Sequence, residues 1–259
     1  MSKILSKFDP LVSDWFSANY QKPTEIQSLA WNKISRGEHV LVTAPTGSGK
    51  TLTAFLWGLN QLITKKWMPG TVRIVYVSPL KALNNDIKKN LTVPLEGLRS
   101  LASKKGITIP EIGVAVRSGD TTTQERRLTA KKPPEIFITT PESLNIILSS
   151  PRGRSMLTGV KLFISDEIHS VAGTKRGVHL AGAVERLSLL SGEFQRIALS
   201  ATVSPLNEVA AFIGGYISHT IAGQTEYEPR KVVVVKASKN KEPRCTVCSG
   251  EIQSNEEDW

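Results

Sequence analysis

One stretch of this sequence has the residue types of a phosphate-binding loop. Residues 44–51 read APTGSGKT, and its two glycines let the backbone approach an anion at angles that other residues avoid. The preceding residues, 39–43, are apolar and mostly β-branched, which predicts a buried strand. After Lys50 the apolar residues recur at spacings of three and four, which predicts a helix. A strand, a glycine turn and a helix in this order are the context that a nucleotide-phosphate loop requires.

The residues of this loop have distinct roles in the predicted site. Backbone amides at the start of the helix point at one spot, where the helix dipole favours negative charge. Lys50 would neutralise the outer phosphates, and the hydroxyl of Thr51 is suited to Mg²⁺. Ala44 stands where the usual pattern has its first glycine. The predicted nucleotide contacts are Thr46, Gly47, Ser48, Gly49, Lys50 and Thr51.

A second candidate site is acidic. Residues 166–169 read DEIH and directly follow another predicted buried strand. Magnesium prefers oxygen ligands, usually one or two carboxylates with phosphates and waters. Asp166 is therefore predicted to hold a magnesium ion together with Thr51, while Glu167 accepts a proton from the attacking water. With Lys50, the two carboxylates are the predicted catalytic residues.

Gln27 is a third candidate, in the first turn of a helix that Thr24 can cap. A side-chain amide donates and accepts hydrogen bonds at once, which is what N6 and N7 of adenine require. A glutamine at this position is equally typical of an ordinary helix surface. The residues alone leave both interpretations open.

The elements that must position these sites alternate between strand and helix. Strands are predicted at 39–43, 71–78, 112–117, 135–139, 160–165 and 196–199, with helices between them. Pro94 is predicted to restart the helix that follows the second strand. The alternation predicts an α/β fold, with a mostly parallel central sheet and helices on both faces. Such sheets bind ligands at the carboxyl ends of their strands, where the candidate loops would lie.

The composition narrows the class of protein. The 259 residues are 40% hydrophobic and 22% charged, as in ordinary globular proteins. The sequence shows no membrane-length apolar run and no signal-peptide pattern, so we expect a cytoplasmic protein without a membrane partner. The net charge of +10 favours nucleic acid as a partner. Arg126 and Arg127 are more typical of a solvated helix face than of a nucleic-acid clamp.

Six motifs follow one another along the chain. They are TEIQ (24–27), APTGSGKT (44–51), SPLKAL (78–83), TTPES (139–143), DEIH (166–169) and SAT (200–202). In this order and spacing, the sequence closely resembles the first RecA-like motor domain of superfamily 2 helicases. The runs YVSPLKALNNDI, SGDTT and KRGVHLAGAVERL make it similar to the large helicase-related (Lhr) group. The resemblance covers residues 8–236 and implies a RecA-like P-loop NTPase domain.

The resemblance also implies roles for single residues. Gln27 would contact adenine, with ATP and Mg²⁺ as cofactors. Movement would be 3′ to 5′ along a single-stranded nucleic acid, with DNA favoured over RNA. The residues implied to contact the nucleic-acid backbone are Pro79, Leu80, Lys81, Thr140, Pro141, Glu142 and Ser143. Those implied to couple the nucleotide state to nucleic-acid binding are His169, Ser200 and Thr202.

The expected domain boundary lies at residue 230. Residues 1–230 would form the motor domain, while 231–259 would begin an absent second domain and continue as a polar, disordered tail. A second RecA-like domain, in cis or in trans, is a required partner because it would supply an arginine finger. Such a residue contributes about 10³- to 10⁵-fold in rate. We therefore expect the chain alone to hydrolyse ATP weakly or not at all.

Other functions share some of these motifs. A nucleic-acid-binding module that uses ATP only as a switch, without turnover, would have all of them. A P-loop kinase would need a lid of arginines, and a GTPase would need an N-K-x-D motif, which is absent. Cys245 and Cys248 form only half of a possible zinc site, because four ligands are normally required.

Overall fold

The computed structural model describes residues 3–79, 81–201, 204–221 and 224–237. Within them the helices are α1 (Pro10–Tyr20), α2 (Glu25–Ile34), α3 (Lys50–Ile63), α4 (Lys81–Lys104), α5 (Thr123–Lys131), α6 (Pro141–Leu148), α7 (Pro151–Leu157), α8 (Lys175–Ser191) and α9 (Leu206–Gly214). The strands are β1 (His39–Thr43), β2 (Ile74–Val77), β3 (Val114–Arg117), β4 (Ile136–Thr139), β5 (Leu162–Ser165), β6 (Gln195–Ser200), β7 (Tyr216–Ile221), β8 (Gln224–Pro229) and β9 (Val232–Lys236).

Helix starts coincide with capping residues in the sequence. The side chains of Asp9, Thr24, Thr122 and Thr140 each accept a hydrogen bond from an amide of the following first turn. A proline follows the cap in α1 and in α6, where its missing amide proton costs no helical hydrogen bond. Local chemistry therefore fixes where these helices begin.

The central sheet is parallel throughout its described part. Seven strands pair in the order β3-β4-β2-β5-β6-β1-β9. Strands β2, β4 and β5 are buried at every position, as expected for strands that are covered on both faces. This confirms the mostly parallel α/β fold predicted from the alternation of elements.

Helices cover the two faces of the sheet with separate apolar cores. Alternate strand residues such as Val40 and Ile164 pack with residues of α1, α2, α3 and α4. Their neighbours, including Leu41 and Phe163, pack with residues of α6, α7, α8 and α9. The period of two along each strand thus distributes side chains between two layers.

Helix α4 differs from the prediction. It is continuous over 24 residues with Pro94 inside it, so the expected restart at Pro94 is wrong. The buried side chains of Leu91, Leu95 and Leu98 flank the proline, and their packing outweighs the lost backbone hydrogen bond. Among the described residues no helix, α4 included, is long and apolar enough to cross a membrane.

Strand β9 corrects the expected domain boundary. Residues 232–236 pair in parallel with β1 from His39 to Thr43, so they form an edge strand of this sheet. The prediction that this strand begins a second domain is therefore wrong. The sequence pattern of residues 232–236 could not show which domain they belong to, because an apolar strand has the same pattern in either domain.

A buried ion cluster fastens β9 to the rest of the fold. The guanidinium groups of Arg196 and Arg230 both contact Glu185 Oε1 at 2.9 Å, and Arg230 also contacts Glu193 at 2.6 Å. Arg196 is only 1% exposed, and its Nη1 donates to the carbonyl of Gly214 at 2.6 Å. A charge this deeply buried is tolerated because both of its terminal nitrogens are paired, although its Nε has no hydrogen-bond partner among the described residues.

His39 at the start of β1 makes the fold sensitive to acid. Its Nδ1 accepts a hydrogen bond from the amide of Arg196 at 3.0 Å. Burial, and then the charges of Arg196 and Arg230, lower the pKa of His39 from 6.5 to about 4. The unfolded chain therefore binds this proton at a higher pH than the folded chain, so protonation below pH 6.5 favours unfolding.

We expect the free energy of unfolding to fall as the pH decreases from about 6.5 to 4. Because His39 is half-buried and screened by solvent, its share is about 1–2 kcal/mol. Urea unfolding at a series of pH values measures it. The variant His39→Gln, which does not titrate, should lack this part of the slope; parallel pH profiles for the two proteins would contradict the assignment.

Candidate functional site

The parallel sheet brings the two chemical loops to one edge. The phosphate loop follows β1 and the acidic pair follows β5, with β6 between these strands. Both loops line one cleft of about 450 Å³. Its polar lining consists of Thr46, Gly47, Gly49, Lys50, Thr51, Asp166 and Glu167. Amides, an ammonium group and carboxylates that are far apart in sequence thus face the same space.

Lys50 is held at the base of this cleft by its own loop. Its Nζ donates to the carbonyl oxygens of Ala44 at 2.5 Å and of Pro45 at 2.8 Å. Burial lowers the pKa of Lys50, and the charges of Glu167 and Asp166 oppose that shift. An ammonium that bonds only to neutral carbonyls here can exchange them for phosphate oxygens, which form stronger charge-assisted bonds.

Gln27 lies against the phosphate loop. Its Oε1 accepts from the amide of Thr24 at 2.9 Å, which completes a capping box at the start of α2. Its Nε2 would lie 2.7 Å from a Cβ atom added at Gly49, whose φ is +84°. The positive φ therefore favours glycine there, and a Cβ would displace the amide end of Gln27. The contact of Gln27 with adenine stays a prediction.

Asp166 is oriented by two hydrogen bonds. Its Oδ1 accepts from the amide of Glu167 at 2.8 Å, and its Oδ2 accepts from the hydroxyl of Tyr76. Burial first, and then the charge of Asp166, raise the pKa of Tyr76, so the phenol stays protonated as a donor. The Tyr76 ring also stacks on Phe55 of α3, with centroids 5.0 Å apart. This contact joins the helix of the phosphate loop to the carboxylate.

Glu167 is connected to the end of β6 through His169. Its backbone is left-handed, with φ +47° and ψ +41°, a conformation that is uncommon outside glycine and often occurs at functional sites. Its Oε2 lies 3.4 Å from Nδ1 of His169, and the same nitrogen lies 3.2 Å from Oγ of Ser200. The structure therefore connects three predicted residues in series, whereas Thr202 lies outside the described residues.

The residues predicted for the nucleic-acid backbone lie at the same edge of the sheet. Thr140 and Ser143 are buried, and the Thr140 hydroxyl donates to Oγ of Ser143 at 3.2 Å. Pro141 is buried as the first residue of α6. These groups form the start of α6, where the amide of Ser143 donates to Oγ1 of Thr140 at 3.3 Å, and helix starts are suited to phosphate oxygens. Leu80 lies outside the described residues, and Lys81 begins α4.

Arg176 ties together the loops that follow β2 and β4. Its Nε donates to Glu142 at 2.6 Å, and its Nη2 donates to the carbonyl of Pro79 at 2.9 Å. Burial alone would raise the pKa of Glu142, but the hydrogen bond and charge of Arg176 hold that pKa below its ordinary value. A carboxylate paired in this way positions the loop. The nucleic-acid contact of Glu142 stays a prediction.

Several residues of this region were not predicted from the sequence. Arg176, Tyr76 and Tyr20 all belong to it, and Tyr20 lines the cleft while 46% exposed. The only feature of the sequence that could have indicated a role for Tyr20 in the cleft is that it is an aromatic residue shortly before Gln27. No pattern in a single sequence shows that the hydroxyl of Tyr76 meets Asp166, because that contact depends on β2 lying beside β5.

The donor set fits a triphosphate with a divalent cation. Gly47 has a φ of +75° with no atom within 4 Å of an added Cβ, which leaves open space above the loop. The Ser48 hydroxyl is buried and has no hydrogen-bond partner among the described residues. An ammonium, a helix start and a hydroxyl with a carboxylate are the groups that such ligands require.

Comparisons with known proteins agree with this geometry. The family model described as DEAD/DEAH box helicase matches residues 24–209. The chain is 51% identical over 217 residues to the ATP-dependent helicase Lhr-Core of Methanothermobacter thermautotrophicus, which covers 83% of this chain and 25% of that protein. It is 43% identical over 251 residues to the Lhr helicase/uracil glycosylase of Escherichia coli K12, covering 94% of this chain and 16% of that protein.

A solved structure has a similar fold. The chain superposes on the Mycobacterium smegmatis helicase Lhr bound to ssDNA and AMP-PNP with a TM-score of 0.82 and 44% identity. The match covers 91% of this chain and 28% of that one. These findings confirm the RecA-like fold and the resemblance to the Lhr group. The chain spans only a quarter or less of the two curated relatives described above.

Proposed function

Because the chain belongs to the DEAD/DEAH box helicase family, we propose that it is the ATP-binding motor domain of an ATP-dependent 3′–5′ helicase or translocase. The nucleic acid is single-stranded, and DNA is favoured over RNA because the similar Lhr structure is described as bound to ssDNA. The single observation that carries the proposal is the shared cleft, in which Lys50 and Thr51 face Asp166 and Glu167.

The residues of the cleft divide the work of ATP hydrolysis. Lys50 and the amides of the loop bind the phosphates, and Thr51 with Asp166 would hold the magnesium ion. A magnesium ion at this place supplies positive charge for the phosphates. Glu167 accepts the proton of the attacking water, and Tyr76 keeps Asp166 in position.

The contacts of Glu167 also provide a route for coupling. His169 lies between Glu167 and Ser200. A change in the hydrogen bonding of the Glu167 carboxylate would therefore move His169 and alter its contact with Ser200 at the end of β6. We propose that this series transmits the state of the nucleotide to the nucleic-acid edge. Arg176 joins the loops at Pro79 and Glu142 and so keeps these two nucleic-acid loops in fixed positions relative to each other.

A second RecA-like domain, in cis or in trans, completes the proposed motor. With the correction at β9, we propose that the boundary between the domains follows residue 237. The arginine finger of such a domain is worth about 10³- to 10⁵-fold in rate. A cytoplasmic setting remains a prediction, and the cysteines at 245 and 248 lie outside the described residues.

The isolated chain is therefore expected to bind MgATP but to hydrolyse it slowly, with little stimulation by single-stranded DNA. Steady-state ATPase assays with and without an oligodeoxynucleotide measure turnover, and titration with a fluorescent ATP analogue measures binding. Fast, DNA-stimulated turnover by this chain alone would contradict the need for a second domain. A failure to bind any nucleotide would contradict the proposed function itself.

A further inference from the structure

A small pocket lined by arginines lies on the flank of the sheet, away from the nucleotide cleft. Its volume is about 160 Å³, and it lies between α5 and α7 beside the edge strand β3. Four arginines from three elements line it: Arg117 at the end of β3, Arg126 and Arg127 in α5, and Arg152 in α7. We call this feature the arginine pocket.

The pocket carries the positive charges of four arginines. None of its four arginines forms an ion pair with a described acidic residue. Glu125, the neighbouring acid in sequence, accepts hydrogen bonds from the amide and hydroxyl of Thr122. Four arginines in the lining of one small pocket carry like charges that repel one another, so an anion bound there would be stabilised.

Arg126 provides a second sign of a missing ligand. Its Nη2 donates to the carbonyl of Gly119 at 2.9 Å, which fixes the guanidinium in place. Its Nε is buried without any hydrogen-bond partner among the described residues. The pKa of Arg117 is lowered by burial and then by the charge of Arg126, consistent with two guanidinium groups that lack a shared anion. A buried donor without a partner destabilises the fold, and a bound oxyanion would accept its hydrogen bond.

The size and position of the pocket indicate which anion it takes. The space suits one tetrahedral oxyanion and is far smaller than the nucleotide cleft. The carbonyl of Arg117 accepts from Oγ1 of Thr139 at 2.8 Å, and Thr139 immediately precedes the predicted nucleic-acid residues Thr140–Ser143. The pocket therefore begins at β3, next to the strand β4 that leads into these residues. A nucleic-acid strand bound at Thr140–Ser143 would continue over the pocket.

We propose that the arginine pocket binds a backbone phosphate of the nucleic-acid strand and extends the interface beyond the helix starts at the sheet edge. This inference rests on the proposed function. Arginine forks bind phosphate oxygens in pairs and read no base sequence. The same chemistry would bind free inorganic phosphate, so the experiment must separate the two sources.

The test compares two double variants that each lose two positive charges. Arg127→Gln with Arg152→Gln removes the exposed half of the pocket, whose loss leaves the core intact. Lys131→Gln with Lys132→Gln is the matched control, because both lysines are exposed nearby and neither lines the pocket. Binding of a fluorescent oligodeoxythymidylate is measured over a range of salt concentrations for both variants and the unaltered chain, with thermal melts to verify folding.

We expect the arginine variant to bind DNA several-fold more weakly than the control. The slope of log affinity against log salt should fall in magnitude by about 0.7 for each lost phosphate contact on a single strand. Equal affinities and slopes for the two variants would overturn the arginine pocket but not the proposed function. Stabilisation by inorganic phosphate that requires the arginines, with unchanged DNA binding, would also overturn it. If the unaltered chain binds no DNA at all, the proposed nucleic-acid function fails as well.

Discussion

Replacing Glu167 by Gln is expected to lower the rate of ATP hydrolysis by about 10²- to 10⁴-fold, the usual contribution of a general base. The amide keeps the size of the side chain but cannot take up a proton. ATP affinity should change little, because Lys50 and the loop amides bind the phosphates. Single-turnover assays with protein in excess over ATP detect hydrolysis even when it is slow, and analogue titration measures the affinity.

Glu208→Gln is the matched control, since Glu208 is an exposed carboxylate in α9 and does not line the cleft. A Glu167→Gln protein that retains full hydrolysis would exclude Glu167 as the base. If the chain binds ATP but shows no hydrolysis even when a second RecA-like domain is joined to it, with or without single-stranded DNA, the ATP-switched binding module becomes the better description.

Replacing Lys50 by Ala should weaken MgATP binding by about 10- to 150-fold. A hydrogen bond to a charged group contributes about 1.5–3 kcal/mol, and the ammonium of Lys50 is the cation that this chain directs into the cleft from the loop. Hydrolysis should fall with affinity, in contrast to the effect of Glu167→Gln. Equilibrium titration with a fluorescent ATP analogue in the presence of Mg²⁺ measures the change.

Lys66→Ala provides the comparison, because Lys66 is an exposed lysine just beyond the end of α3. Its loss removes one positive charge without touching the phosphate loop. Equal affinities for the two variants would mean that the loop does not hold the phosphates through Lys50, and the motor assignment would lose its basis.

The location of sites that are contiguous in sequence could be predicted, while the roles of their residues remain predictions. The loop at 44–51 combines its glycines, lysine and threonine within a few residues, and the acidic pair at 166–167 follows a recognisable strand. Their meeting in one cleft needed only the rule that parallel strands present their carboxyl ends together. The position of Gln27 beside the loop was seen only in the structure, and its adenine contact remains a prediction.

Features that depend on strand order or on distant packing could not be predicted. Arg117 and Arg152 come together only because β3 lies at the edge next to α5 and α7, so Arg126 and Arg127 looked like a solvated face. The hairpin of β7 and β8 was missed because its second strand is exposed at every position and shows no alternation. Pro94 was misjudged because tertiary packing overrode a local signal.

The direction of β9 has a consequence for assembly. Because β9 runs parallel to β1, it ends beside the phosphate loop, and the amide of Ala237 donates to the carbonyl of Thr43 at 3.2 Å. Any polypeptide that continues from this point starts on the rim of the nucleotide cleft. A short linker there would hold the domain attached to it at a high effective concentration near the bound phosphates. Even a weak interface between that domain and this one would then keep the cleft closed for much of the time.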